Sequence, residues 1–127
     1  MKALIVALFL TVFSANSLAA APQDLQGVYD CTSIEVGTHV VYKGTTTLTK
    51  TNQTYAVSAE FDDGSTYSGV AIFDVKKHVL STAFVNPKDA KETGVAIAHV
   101  QAHHVLQTTW AYINQAETGT STCVKRA

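Results

Sequence analysis

The chain has 127 residues, of which 46% are hydrophobic, 15% charged and 9% aromatic, and its formal net charge is −1. This length corresponds to one domain, and the near-neutral charge excludes a strongly basic nucleic-acid-binding protein. The apolar content, combined with few charged residues, also excludes an intrinsically disordered chain.

Residues 1–20 have the pattern of a secretory signal peptide. A short positively charged start precedes an apolar run over residues 3–13, and small residues follow it. Ser17 and Ala19 occupy the preferred positions for cleavage after Ala19, and cleavage after Ala20 is nearly as favourable. The run is shorter than the roughly 20 residues that a spanning helix needs. We therefore expect a bacterial protein of the periplasm or the medium, whose mature domain, residues 21–127, is not inserted in a membrane.

Cys31 and Cys123 lie near the two ends of the mature chain. In an oxidising compartment, an isolated pair most simply forms one intrachain disulfide. Two free thiols, a metal site and an intermolecular bridge are the alternatives. The disulfide would make the first and last elements of the domain neighbours.

The mature chain is rich in Thr, Val and Tyr, which favour strands, and turn signals separate its short apolar runs. Residues 55–61 alternate between apolar and mostly polar positions. In the fifth predicted strand Leu80, Thr82 and Phe84 share one face, and in the seventh the residues that share a face are Leu106, Thr108, Trp110 and Tyr112. Asp63-Gly64 predicts a type I′ hairpin turn, and a polar loop is predicted over residues 86–92. The eight predicted strands are 27–33, 39–50, 55–61, 66–74, 79–85, 93–100, 104–112 and 119–125.

Eight consecutive strands with short connections predict an all-β domain built as an antiparallel meander. A disulfide between the first and last strands would close the meander into an eight-stranded up-and-down barrel. Such a barrel is just wide enough to be filled by side chains or to hold one small ligand. An orthogonal sandwich with the same strand order is the alternative.

Histidines and aromatic residues are candidate ligand-binding groups. His99, His103 and His104 flank one predicted hairpin and could bind zinc, copper or nickel. A polar turn is the preferred explanation of these histidines, and no metal or other cofactor is predicted. The aromatic residues could line a barrel mouth or simply pack the core. Trp110 is the strongest ligand-binding candidate among them because it is the only Trp.

The hairpin that contains Asp63, Ser65 and Tyr67 presents polar groups on a rigid scaffold, where recognition residues are common. No nucleophile motif of the G-x-S-x-G type is present, and a disulfide-bonded cysteine cannot act as a nucleophile. The sequence therefore favours a protein that is not an enzyme.

Two short patterns, Gly27-Val28-Tyr29-Asp30-Cys31 and D-G-S-x-Y-x-G over residues 63–69, carry a resemblance that covers most of the mature chain. Together with Leu106 and Trp110, they resemble small secreted bacterial β-proteins labelled fibronectin-binding-like. That resemblance implies a secreted β-barrel.

The chain is also similar to periplasmic inhibitors of c-type lysozyme, which are exported eight-stranded barrels with one cysteine near each end. Their S-G-x-x-Y signature engages the lysozyme cleft, whereas this chain has Gly64-Ser65-Thr66-Tyr67. The resemblance implies that Ser65 and Tyr67 are the positions to test.

The leading functional hypothesis is an exported binding protein that engages an envelope or host protein through barrel loops, with inhibition of that partner as one form of the activity. Its predicted partner-binding residues are Asp63, Ser65, Tyr67 and Trp110. The alternative is a periplasmic carrier of a small molecule or a metal. The sequence leaves the identity of the partner and the oligomeric state open.

Overall fold

The computed structural model describes residues 24–35 and 37–127, which form one closed barrel of eight antiparallel strands. Neighbouring strands pair in sequence order, and β1 pairs with β8. The predicted up-and-down barrel is therefore confirmed, and the sandwich alternative is not formed. The predicted signal peptide, residues 1–20, and the predicted start of the domain at residue 21 lie outside the described residues. The strands are β1 (Gly27–Ile34), β2 (Val41–Thr51), β3 (Thr54–Phe61), β4 (Thr66–Asp74), β5 (Val79–Asn86), β6 (Asp89–Gln101), β7 (Val105–Tyr112) and β8 (Gly119–Lys125).

The barrel closes where the sequence predicts it. Cys31 lies directly opposite Cys123 in the β1–β8 ladder. The two residues form a disulfide with their Cα atoms 4.0 Å apart. The predicted intrachain disulfide is thus confirmed, and it links two strands that are also joined by backbone hydrogen bonds.

The predicted polar loop over residues 86–92 is wrong. β5 ends at Asn86 and β6 begins at Asp89, so that only Pro87 and Lys88 connect the two strands. Asn86 Oδ1 accepts a hydrogen bond from the Lys88 amide at 3.0 Å, and the ladder shifts register between Val85 and Asn86. The polar side chains typical of a loop here stabilise a tight turn through side-chain-to-backbone bonding.

The predicted type I′ turn at Asp63-Gly64 is also wrong, although the hairpin is present. Gly64 has a φ of 85°, whereas Asp63 is not among the residues with positive φ. The Gly64 amide donates to the Phe61 carbonyl at 3.0 Å, and the Phe61 amide donates to the Ser65 carbonyl at 3.0 Å. This pattern is a type I turn followed by a left-handed glycine, the usual form of a slightly longer hairpin loop.

The connection between β6 and β7 differs from the prediction as well. His104, the predicted first residue of the seventh strand, lies in a single 3-10 turn over Ala102–His104. His103 and His104 have φ values of 62° and 56°, which prevent either residue from continuing a strand. In the part of the chain that the structure describes, no helix is long and apolar enough to span a bilayer.

One end of the barrel carries the β1–β2, β3–β4, β5–β6 and β7–β8 connections, and we call it the mouth. The opposite end, which we call the closed end, contains the buried apolar cluster. Leu25 precedes β1, lies in this cluster and is 0% exposed. The other buried members of the cluster are Tyr29, Cys31, Leu48, Tyr55, Ala71, Leu80, Ala98, Val100, Leu106 and Cys123.

Candidate functional site

The interior of the barrel contains a cavity of about 480 Å³. Along β7 its lining runs from Leu106 near the closed end to Tyr112 at the mouth. Rim residues such as Glu35 and Gln115 also line it, so the cavity opens at the mouth. Its volume lies within the range of about 300–1,000 Å³ that is typical of small-molecule sites.

Hydrogen bonds between Leu25, which precedes β1, and two tyrosines hold the closed end together. The Tyr29 hydroxyl donates to the Leu25 carbonyl at 2.7 Å, and the Leu25 amide donates to the Tyr55 hydroxyl at 3.2 Å. Burial raises the pKa of the Tyr29 phenol to about 12. Because these polar groups satisfy one another, the segment can cover the end of the barrel without leaving buried donors unpaired.

The wall of the cavity changes in character from the closed end towards the mouth. Strand alternation aims every second side chain inward, and the inward residues nearest the closed end are apolar. Hydroxyl groups follow at the middle level, where Ser33 and Ser121 hydrogen-bond to each other. The apolar residues are Leu48, Val57, Leu80, Ala98, Leu106 and the disulfide, and the hydroxyl residues are Ser33, Thr46, Thr82, Thr108 and Ser121.

Five aromatic rings surround the part of the cavity nearer the mouth, and we call them the aromatic arc. Successive rings meet edge to face, with centroids 5.3–6.1 Å apart, a geometry that aromatic pairs favour. In order around the wall, the aromatic arc consists of Phe61, Tyr67, Phe84, Tyr112 and Trp110.

Glycines in the even-numbered strands make room for the aromatic arc. A Cβ atom on Gly119 would overlap the indole of Trp110, and one on Gly94 would lie 2.8 Å from Phe84 Cζ. The rings can therefore lie close to the neighbouring backbone only because these positions have no side chain. The evenly spaced glycines of the four even-numbered strands are Gly44, Gly69, Gly94 and Gly119.

A polar network crosses the mouth side of the aromatic arc. The Tyr67 hydroxyl donates to Glu92 Oε2 at 2.5 Å and lies 2.9 Å from the Tyr112 hydroxyl. Asn86 Nδ2 donates to the same Glu92 oxygen at 3.2 Å. Since Tyr67 gives its proton to Glu92, Tyr112 acts as the donor to Tyr67.

Burial raises the pKa of Tyr67 well above its usual range, and the hydrogen bond to Glu92 raises this pKa further. Burial likewise raises the pKa of Tyr112. Both phenols therefore stay protonated at neutral pH. They can donate hydrogen bonds but are poorly suited to act as bases.

The four partner-binding residues predicted from the sequence all line this cavity. Asp63 and Ser65 lie at the rim, where Asp63 Oδ1 accepts hydrogen bonds from the Ser65 amide at 3.0 Å and the Ser65 hydroxyl at 2.5 Å. Tyr67 and Trp110 belong to the aromatic arc, deeper in the barrel. The structure thus brings the four around one cavity, with two of them in the β3–β4 connection at its rim and two inside the barrel.

Sequence reasoning missed Glu92 and Asn86, which it placed in a loop. Glu92 lies an even number of residues from Ala96 and Ala98 on β6, so that its side chain points into the barrel as theirs do. Extending the sixth strand towards the mouth would have revealed an acidic residue among inward-facing positions, which is an uncommon arrangement.

The histidines do not form a comparable centre. His99 and His103 are exposed, on β6 and in the 3-10 turn respectively. Within residues 24–35 and 37–127, no group of three or more His, Cys, Asp or Glu side chains is arranged to hold a metal ion.

No family model, curated protein or solved structure matches this chain. Inferences about its function therefore rest on the geometry of the barrel and its cavity.

Proposed function

We propose that this protein is a non-enzymatic binding protein that holds one small, largely apolar molecule inside its barrel. The observation that carries the proposal is the cavity of about 480 Å³, which opens at the mouth, while the buried Leu25 covers the opposite end of the barrel. Apolar side chains near the closed end would bury the hydrocarbon part of such a ligand.

An extracytoplasmic location is part of the proposal. The Cys31–Cys123 disulfide is compatible with it, because structural disulfides persist in oxidising compartments. The signal-peptide pattern of residues 1–20 points the same way. We therefore place the activity in the periplasm or the medium.

Engagement of a protein partner through the mouth loops stays a prediction from the sequence. The polar atoms expected to make that contact already have partners within the chain. The Ser65 hydroxyl is hydrogen-bonded to Asp63, and the Tyr67 hydroxyl to Glu92. These contacts favour the cavity over the loops as the principal site.

A neutral apolar probe tests the proposal directly. N-phenyl-1-naphthylamine fluoresces on transfer to an apolar environment, and displacement by octanol would report competition for one site. We expect saturable binding of one probe per protein. Trp110 fluorescence should change in parallel, because this single Trp lines the cavity.

Two matched variants distinguish the cavity from the outer surface. Ala96→Phe fills the cavity, whereas Ala83→Phe adds the same ring at an exposed position of β5. The proposal predicts that only Ala96→Phe abolishes probe binding while the barrel stays folded by circular dichroism. Equal binding by both variants would overturn it.

A further inference from the structure

The mouth of the cavity is lined by acidic side chains. Four carboxylates and one ammonium group lie on the cavity lining, the carboxylates being those of Glu35, Asp63, Asp89 and Glu92 and the ammonium that of Lys91. A ligand group at this level would therefore meet a field that favours positive charge.

Among these groups Glu92 contacts the aromatic arc, because its Oε2 accepts a hydrogen bond from the Tyr67 hydroxyl. In the described residues the single ion pair joins Arg126 to Asp30 on the outside of the barrel. Glu92 thus has no cationic partner within the described part of the chain. The cost of holding a half-buried carboxylate near apolar rings is offset only by neutral donors.

Those donors leave one oxygen of Glu92 free. Tyr67 and Asn86 both donate to Oε2, and no described side chain donates to Oε1. Every buried side-chain oxygen in the described residues has a hydrogen-bond partner, so Oε1 must be accessible. It can accept a hydrogen bond from a molecule in the mouth.

The rings beside Glu92 favour the same kind of group. Tyr112 and Trp110 have ring centroids 5.3 Å apart, and Phe84 lies between the rings of Tyr67 and Tyr112 in the aromatic arc. Aromatic faces attract ammonium groups, most strongly where water is excluded. An anionic group at Oε1 would instead meet the like charge of the Glu92 carboxylate.

We infer that the ligand is an amphiphilic amine whose ammonium group lies at Glu92 Oε1 and the aromatic arc, with its hydrocarbon part directed towards the closed end. This inference rests on the proposed function, because it requires the cavity to hold a ligand. It adds the chemical class of that ligand. In this arrangement the charge of Glu92 at the mouth makes the site selective for amines, and the apolar wall of the cavity provides most of the affinity for the ligand.

A matched series of three ligands tests the inference. Octylamine, octanol and octanoate share one hydrocarbon chain and carry a positive, neutral and negative head at neutral pH. Titration followed by Trp110 fluorescence should give octylamine about tenfold tighter binding than octanol, as expected for one charge-assisted hydrogen bond. Octanoate should bind more weakly than octanol.

Glu92→Gln removes the charge and keeps a hydrogen-bonding side chain of the same size. It should lower octylamine affinity about tenfold and change octanol affinity less than about twofold. Glu117→Gln is the matched control, since Glu117 lies in the β7–β8 connection at the same end but does not line the cavity. That variant should leave all three affinities unchanged.

The outcomes separate the two proposals. Failure of all three ligands to bind, with the barrel folded, would overturn the proposed function. Binding of octanol with no preference for octylamine, or a preference that survives Glu92→Gln, would overturn the amine inference alone.

Discussion

The backbone amide of Leu25 donates a hydrogen bond to the hydroxyl of Tyr55, 3.2 Å away and 30 residues further along the chain. Leu25 is fully buried, and its carbonyl accepts a hydrogen bond from Tyr29 at 2.7 Å. A segment outside the eight strands therefore covers the end of the barrel opposite the mouth. The packing of the closed end involves this segment as well as the strands of the barrel.

Replacing Leu25 by Ala should destabilise the protein by about 2–4 kcal/mol, because it removes a fully buried side chain from the closed end. Urea unfolding followed by far-ultraviolet circular dichroism measures the change. Asp24→Ala is the control, since this neighbour is exposed and loses only its hydrogen bond from the Gln26 amide, at a cost of at most about 1 kcal/mol. Similar losses in both variants would contradict the sealing role of Leu25.

Alkaline pH should weaken the fold through Tyr29. Burial raises its pKa to about 12 in the folded protein, whereas an unfolded tyrosine has a pKa near 10. The folded state therefore holds the proton more tightly, so this contribution to stability is fully present below about pH 10 and decreases as pH rises to about 12. The total loss should be roughly 2–3 kcal/mol, because a tenfold difference in proton affinity corresponds to about 1.4 kcal/mol.

Urea unfolding at pH 8, 10, 11 and 12 measures this dependence. The pKa values of Tyr67 and Tyr112 are also raised, so these residues lower stability at high pH in the same direction as Tyr29. Comparing the wild type with Tyr29→Phe isolates the contribution of Tyr29. The variant should lose less stability between pH 10 and 12. Parallel curves would show that Tyr29 does not titrate in this range.

The succession of strands could be predicted from the sequence, because the alternation and the turn residues that mark each strand are local patterns. β4 and β8 have the predicted bounds, and residues 55–61 alternate as expected. Closure could be predicted as well, since Cys31 and Cys123 imply that the first and last strands are neighbours. The structure of residues 86–92 could not be predicted, because their polar composition is equally compatible with a loop and with a tight turn between long strands.

The cavity could not be predicted, because its size depends on side chains brought together from all eight strands. Small inward residues such as Ala96 and Ala98 leave space only if the opposite wall does not fill it. Tyr67 and Glu92 are 25 residues apart and lie on β4 and β6, which are not hydrogen-bonded to each other. Their contact depends on how strongly the barrel curves, which local patterns do not encode.

Gly119 leaves room for the indole of Trp110, so a side chain at this position should destabilise the protein. A Cβ atom on Gly119 would overlap the indole, so Gly119→Ala should displace the ring and cost about 1–3 kcal/mol. The emission maximum of Trp110 should shift as well. Thermal unfolding and fluorescence spectra measure both effects.

Gly64→Ala is the comparison for that experiment. No heavy atom lies within 4 Å of the added Cβ, but Gly64 has a φ of 85°. The variant should lose about 1 kcal/mol through backbone strain alone, with no change in the Trp110 spectrum. An unshifted spectrum in Gly119→Ala would mean that the ring does not depend on the glycine.

The disulfide should be a major contributor to stability. Replacing both Cys31 and Cys123 by Ser should cost about 2–5 kcal/mol in urea unfolding, because the bond closes a long loop in the unfolded chain. Arg126→Ala is a suitable control, since the exposed Arg126–Asp30 ion pair joins the same part of the barrel. This surface pair should contribute less than about 1 kcal/mol, and a larger effect from Arg126 than from the cysteines would contradict the prediction.

Two sets of variants separate the rim of the mouth from the interior. Asp63→Ala combined with Ser65→Ala removes the rim hydrogen bonds, and Trp110→Leu removes one ring of the aromatic arc. If the cavity is the site, the rim variant should bind octanol as the wild type does, and Trp110→Leu should bind it about fivefold more weakly. Displacement of N-phenyl-1-naphthylamine measures both affinities without relying on Trp110. Weaker octanol binding in the rim variant, with unchanged binding in Trp110→Leu, would place recognition on the loops, as the sequence predicted.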